Sequence, residues 1–448
     1  MKKTHFLALA ATMLTAATHA QDFGYEEPKQ ISLTQEQRTM VERNNDFAFR
    51  LFKETRGNQS QVVSPLSITY DLGMLNNGAT GQTQQEINNV LGFGDVGADG
   101  INTFCRKLLT EMPALDEQTQ VMISNAIFLN QPRYLLPDFE EKARTYYDAT
   151  LQTRDFYDGE TMDVINQWAS NHTMGMIREV LNEDSYDPRV ASYLLNAVYF
   201  KGTWTLKFNK EETQEESFNG GEPVPMMHLH NLLPYAENDL CQALQLPYGN
   251  GAYQMTVLLP REDRTLDDVL ASLDGKTWGQ YRWLRSVEGD VKLPRFETTT
   301  SADLVRPMSQ LGMPTAFDPE RADIPYFCNL PQYISNMRQA AKIKVDEEGT
   351  EAAAVTIIET TDNAIPDGPK VFEFHAHRPF LYLISEQSTG AILFIGQYCG
   401  EATAGSAPSG IDAPWRQAAP DSYYDLTGRR LSGKPAKGFY IKNGRKLY

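Results

Sequence analysis

The pattern of apolar and polar positions changes character midway along the chain. Between residue 34 and about residue 56, Met40, Val41, Phe47, Leu51 and Phe52 recur at helical spacing, which predicts an amphipathic helix. Ser64-Pro65-Leu66-Ser67 has the form of a second helix start, with Ser64 as cap and Pro65 in the first turn; Ile68, Leu72 and Leu75 then share a face. Further helical patterns cover 84–91, 101–109 and 162–181. From residue 194 the pattern becomes that of strands: 194–200 is a near-continuous apolar run, as expected of a strand buried on both faces, and 255–260, 291–294, 380–385 and 391–398 read as strands too. Helices first and strands later is the α+β arrangement, and no internal repeat is present.

One segment has a pattern of its own. Over 347–356 the chain reads Glu-Glu-Gly-Thr-Glu-Ala-Ala-Ala-Val-Thr. The even positions Thr350, Ala352, Ala354, Thr356, Ile358 and Thr360 carry no charge, while the odd positions include Glu351 and Glu359. Strand side chains alternate faces, so this segment can bury one face and leave the other in water. Three successive alanines are a poor strand former, and local composition taken alone favours an Ala-rich surface helix. A segment that can be buried but need not be suggests a conformational switch.

Length and composition set the frame for these elements. A chain of 448 residues with 41% hydrophobic residues has enough apolar surface for a substantial core. Lys2 and Lys3, an apolar run over 6–15 and Thr18-His19-Ala20 make residues 1–20 a signal peptide with a small-residue cleavage site, and predict a secreted or cell-surface protein. A polar segment occupies 21–33. Cys105, Cys241, Cys328 and Cys399 lie far apart, without the spacing of a zinc site; an even count permits disulfides, but a core of this size does not need them. A net charge of −17 argues against nucleic acid as a partner. Residues 401–421 form an Ala/Gly/Ser/Pro-rich linker, and 422–448 a small hairpin unit with seven basic residues and no acidic one from Gly428 onward.

Several motifs, taken in order, resemble one family, the serpins. Ser64-Pro65-Leu66-Ser67-Ile68 is similar to its Ser-Pro-x-Ser-Ile helix start, and 77–83 to the turn that follows. Residues 196–204, Asn-Ala-Val-Tyr-Phe-Lys-Gly-Thr-Trp, resemble its Asn-x-x-x-Phe-Lys-Gly-x-Trp motif. The segment 346–356 resembles the hinge of its reactive loop, and 378–382 the Pro-Phe strand beyond it, so the likeness spans 34–400. The resemblance implies three β-sheets, about nine helices and an exposed reactive-centre loop at about 347–370. It also implies a suicide-substrate inhibitor of serine proteases, and by extension of papain-like cysteine proteases, in which the cleaved loop enters the central sheet while the protease is still bound as an acyl-enzyme. The alternative is a non-inhibitory serpin-fold binding or structural protein that is cleaved as an ordinary substrate.

Site residues follow from the same resemblance. The hinge is Glu347, Gly349, Thr350, Ala352, Ala353, Ala354 and Thr356; the small, uncharged residues from Gly349 through Thr350 to the three alanines and the lack of proline over 347–363 are the pattern of inhibitory members. Ser64, Ser67, Asn196 and Gln339 correspond to the shutter beneath the sheet, and Trp204 to the breach where the loop enters. Gln339 stands where the family usually has histidine and Ser60 where it often has asparagine, which makes a pH-sensitive shutter less expected here. Counting fifteen residues from the hinge glycine puts the scissile bond between Asn363 and Ala364, with Asp362 and Ile365 as neighbouring alternatives. These residues suit asparagine- or aspartate-selective cysteine proteases or elastase-like serine proteases; no Arg or Lys lies between Gly349 and Pro369 for a trypsin-like one. The basic tail resembles C-terminal sorting or anchoring segments of exported Bacteroidetes proteins.

Other signals point to no further chemistry. The pairs His228/His230 and His375/His377 permit a metal but lack the partners of a metal centre, and read as strand residues. Residues 78–81 are not a phosphate loop, no Gly-x-Ser-x-Gly elbow occurs, and Arg106 with Lys107 is too little for a heparin-type patch. The expectation is a monomeric protease inhibitor without metal or cofactor, neither spanning a membrane nor acting as an enzyme.

Overall fold

The computed structural model describes residues 28–350 and 371–400, and four short strands between 423 and 447. The signal segment, the residues of the expected scissile bond, hinge residues Ala352, Ala353, Ala354 and Thr356, and the linker lie outside the described residues. In chain order the first elements are α1 (Gln35–Thr55), β1 (Gln61–Val63), α2 (Pro65–Asn76), α3 (Gly81–Leu91), α4 (Gly97–Glu111), β2 (Thr119–Asn130), α5 (Pro137–Tyr147), β3 (Thr150–Arg154) and α6 (Glu160–His172). Strands then dominate: β4 (Ser192–Thr203), β5 (Gln214–Ser217), β6 (Pro223–Glu237), β7 (Cys241–Tyr248), β8 (Tyr253–Pro260), α7 (Leu266–Ala271), β9 (Arg285–Pro294), β10 (Phe296–Asp303) and α8 (Val305–Gln310). The last are β11 (Arg338–Asp346), β12 (Gly349–Thr350), β13 (Phe372–His375), β14 (Phe380–Glu386) and β15 (Ile392–Tyr398).

Local chemistry accounts for several boundaries. Thr34 and Gln37 cap α1 reciprocally, each side chain taking the other's backbone N–H, at 3.2 and 3.1 Å. Every residue of α2 is buried, so this helix has no wet face. Ser64 occupies its N-cap position but does not cap it: the hydroxyl instead donates to the Leu393 carbonyl oxygen at 2.7 Å. The helix expected over 162–181 stops at His172. The backbone turns at Met174 (φ 50°) and Gly175 (φ 79°), and the Asn166 side-chain oxygen takes the N–H groups of Val180 and Leu181. Ile177 and Leu181 are buried from a loop, which preserves a helical spacing without a helix.

The strands form a six-stranded sheet in the order β10-β11-β12-β4-β2-β3 and a nine-stranded one in the order β1-β15-β14-β8-β7-β6-β9-β13, with β5 against β6. The long β6 pairs with β9 over Met226–Tyr235 and with β7 over its last three residues, so the two smaller sheets of the expected three are continuous through it. The tail strands Tyr423–Tyr424, Arg430–Leu431, Tyr440–Lys442 and Arg445–Leu447 pair as a four-stranded antiparallel sheet. In the six-stranded sheet, β4 is buried on both faces. Tyr193, Leu195 and Ala197 pack with Phe128 and Trp168 beneath α6, whereas Leu194, Val198 and Phe200 belong to the main core on the side of α2. All four cysteines are free thiols; Cys105, Cys241 and Cys328 are buried.

Candidate functional site

The chain leaves β11 through Glu347 and Glu348 and turns back as β12, which lies between β11 and β4 in the middle of the sheet. Thr350 pairs with Val345 on one side and Gly202 on the other, and Gly349 with Asp346 and Thr203. A Cβ on Gly349 would lie 2.0 Å from the Gly202 carbonyl oxygen, so only glycine lets the two strands approach this closely. Thr350 is fully buried and its hydroxyl is 2.6 Å from the Tyr248 hydroxyl. Among the described residues no ladder joins β4 directly to β11, although the two strands lie in contact; both pair with β12.

The turn that launches β12 is held from three directions. Trp204 stacks on Tyr248, with centroids 4.4 Å apart and planes 14° from parallel, and its indole N–H donates to the Asp346 carbonyl oxygen at 2.8 Å. The backbone N–H groups of Trp204 and Phe208 donate to the carbonyl oxygens of Glu348 and Glu347. Glu347 is buried, and its carboxylate accepts from Arg295 at 2.5 Å and from the Thr213 hydroxyl at 2.7 Å. Burial alone would push this carboxyl up, but the bonds from Arg295 and Thr213 outweigh it and hold the group below the usual glutamate range. Glu348 lies 2.8 Å from the ammonium groups of both Lys207 and Lys210, whose hydrogen bonds lower its pKa as well.

Beneath the sheet the polar residues form two groups rather than one. Gln339 accepts the Ser64 N–H at 2.9 Å and donates to the Ser64 carbonyl oxygen and the Ser67 hydroxyl, at 2.8 and 3.0 Å. This clips β11 to the first turn of α2. Asn196 is not bonded to that cluster; its amide donates to Asn125 on β2 at 2.7 Å, and Asn125 donates to the Tyr147 carbonyl oxygen. The Asn196 side-chain oxygen is buried and has no hydrogen-bond partner among the described residues. Ser60 joins the ends of the domain, donating to the Gly400 carbonyl oxygen and accepting the Cys399 N–H.

Tyr248, Arg295, Thr213, Lys207, Lys210 and Asn125 were not anticipated from the sequence, because each meets the site only through the fold. The four histidines are engaged by carboxylates: His228 and His375 both contact Asp290, at 2.5 and 2.7 Å, His377 contacts Glu216 at 2.6 Å and His230 contacts Glu288 at 3.3 Å.

A loop that enters the middle of a sheet through a glycine hinge, over a buried polar clip, defines the class of molecule. The chain belongs to the serpin family: the family model described as "Serpin (serine protease inhibitor)" matches residues 42–400. Serpin B6 of Macaca fascicularis is 31% identical over 373 residues, covering 80% of this chain and 98% of that protein. A serpin-like protein of Thermococcus kodakarensis is 32% identical over 371 residues, covering 81% and 86%. Among solved structures, the native thermophilic serpin tengpin is similar with a TM-score of 0.76 at 27% identity, covering 83% of this chain and 96% of that one. Thyroxine-binding globulin in complex with thyroxine is similar at 0.72 and 27%, covering 80% and 98%. The family places this chain among protease inhibitors rather than enzymes. Among the described residues no helix is long and apolar enough to cross a membrane.

Proposed function

We propose that this serpin is an exported suicide-substrate inhibitor. A protease attacks the loop at or beside the bond between Asn363 and Ala364; after acylation the loop enters the slot between β4 and β11, carrying the protease with it and distorting its active site before deacylation. The observation that carries the reading is β12 itself: Gly349 and Thr350 already run between β11 and β4, and among the described residues no other ladder joins those two strands. Thr350, Ala352, Ala354, Thr356 and Ile358 are uncharged, so no inward position would bury a charge at a cost of several kcal/mol. The loop sequence favours elastase-like serine proteases and asparagine- or aspartate-selective cysteine proteases as targets. Pocket differences of a methylene or two discriminate by only about 1–3 kcal/mol, so one loop can trap several of them.

Incubation with elastase, a cathepsin-type protease and an asparagine-selective protease, followed by denaturing electrophoresis, tests the proposal. A complex that survives detergent is the expected result. Loop cleavage with the protease left fully active would instead support a non-inhibitory binding or structural protein of the same fold. Mass spectrometry of the released C-terminal fragment is expected to show Ala364 as its first residue. Export predicts mature protein in the medium or at the cell surface beginning at Gln21.

A further inference from the structure

A cavity of about 380 Å³ lies at the far end of the six-stranded sheet from the hinge turn. Along the β2–β4 ladder Thr119 stands opposite Gly202 and Leu129 opposite Ser192, so the carboxyl end of β2 is ten residues of strand from the hinge end of β4. That is a separation of roughly 33 Å. β3 runs parallel to β2 with Arg154 opposite Asn130, so the two strands end side by side. The crevice outside the carboxyl ends of parallel strands is where open α/β sheets bind their ligands.

The walls of this cavity are polar throughout. Gln131 follows β2, Gln152, Thr153 and Arg154 end β3, and Asp155 and Asp158 lie on the loop to α6, whose first turn adds Thr161. The loop is anchored from below: Phe156 is buried with its ring 5.3 Å from that of Tyr193, and its N–H donates to the Asn130 side-chain oxygen at 3.1 Å. The Thr161 hydroxyl donates to the Asp155 carbonyl oxygen at 2.8 Å. Asp155 and Asp158 each use one carboxylate oxygen on a backbone N–H, of Tyr157 and of Glu160; among the described residues the second oxygen of each has no partner. Arg154 Nε donates to Gln152 Oε1 at 3.2 Å, which orients both planar groups, and among the described residues the guanidinium pairs with neither carboxylate.

These features narrow the chemistry of a ligand. An all-polar lining gives an apolar molecule nothing to bury against. Two carboxylates against one guanidinium leave the lining net negative, which opposes phosphates and carboxylates. Donors and acceptors that face one cavity without pairing with each other match a molecule rich in hydroxyls, each of which donates and accepts at once. Tyr157 adds a flat apolar surface, since it stands between the two carboxylates on the loop and is 72% exposed while Phe156 beside it is buried. We propose that this cavity binds a neutral sugar unit of a glycan: Arg154 and the Gln131 and Gln152 amides donate to its hydroxyls, Asp155 and Asp158 accept from them, and its apolar face lies on the Tyr157 ring. The site is at the opposite end of the sheet from the hinge, so the protein held on a glycan in this way keeps its reactive loop open to a protease.

The test applies the full chain to an array of neutral oligosaccharides built from hexoses and N-acetylhexosamines, then titrates the best binder in solution by saturation-transfer NMR. Saturable binding of at least one neutral glycan is the expected result. Tyr157→Ala and Arg154→Gln are each expected to weaken it by about tenfold or more, with the unfolding midpoint unchanged, because Tyr157 is an exposed loop residue and Arg154 holds no ion pair among the described residues. Glycine and inorganic phosphate, tried as competitors, are expected to leave the sugar bound. Absence of binding to every neutral glycan would overturn the proposal, and so would binding that both variants retain at full strength. Displacement of the sugar by glycine or by phosphate would overturn it as well, by showing a site for a zwitterion or an anion instead.

Discussion

Thr350 and Asp71 carry the strongest residue-scale consequences because neither has anywhere to go. Thr350 is sealed between Gly202 and Val345 with its hydroxyl on Tyr248. A guanidinium at this point would lie in the sheet interior without a counter-charge, so Thr350→Arg should expel β12 and leave a loop that is cleaved but does not insert. Detergent-stable complex should vanish while cleavage of the loop continues; undiminished complex formation by this variant would refute the insertion argument. Asp71, buried on α2 with no hydrogen-bond partner for its Oδ1 among the described residues, acts on stability in the opposite sense from most carboxylates. Its folded pKa, about 8, lies above that of the unfolded chain, so between about pH 4 and pH 8 the folded state holds a proton that the unfolded state has released. Stability is therefore lost as pH rises across that window. Asp71→Asn should match the wild type near pH 4 and exceed it by a margin that grows to pH 8 and then levels off, read from denaturant midpoints of the uncut protein.

At the scale of elements, the hinge is a turn with a lock. The buried Glu347 carboxylate binds Arg295 beside β9 and Thr213 beside β5, so one side chain joins the end of β11 to the other sheet. Arg295 is partly exposed, which screens the pair, and Glu347→Gln should cost roughly 1–2 kcal/mol at neutral pH rather than the larger figure of a fully buried pair. Because the Glu347 pKa is depressed in the folded state, its contribution is complete above the unfolded value near 4.5 and disappears as pH falls through the folded one. The variant and wild type should therefore converge in acid, which equilibrium unfolding at pH 7 and pH 3 would register. The same elements show what a sequence discloses. Helix α1 is legible because its apolar spacing and its cap are both local. The role of Ser64 is not, because its hydroxyl partner Leu393 is supplied by β15 at the far end of the chain. The sequence predicts too long a helix because Ile177 and Leu181 keep a helical spacing, while Thr173 binds the Ile177 N–H and Asn166 the Leu181 N–H in a loop. The hinge alternation was visible, but Tyr248 and Arg295, which fix its position, meet it only through pairings of the sheets.

Across the whole molecule, β11 and β4 are the strands that an added strand would part, because β12 alone joins them by ladder bonds among the described residues. Each presents an edge toward the other. An unpaired edge is a template for added strands, and here two such edges face each other over a core already shaped for small side chains by Val198, Phe200, Ala341 and Ile343. A separate peptide should thus be able to take the place that the loop would fill. A synthetic peptide with the sequence of residues 350–361, incubated with uncut protein, should raise its unfolding midpoint and abolish detergent-stable complex formation while leaving the loop cleavable. The alternation supplies the control. A peptide of the same composition with each even residue exchanged for the odd residue after it would turn Glu351 and Glu359 toward α2, and it should do neither. Equal stabilisation by both peptides would mean that the slot does not read the even face, and the account of why 350–358 carries no inward charge would have to be abandoned.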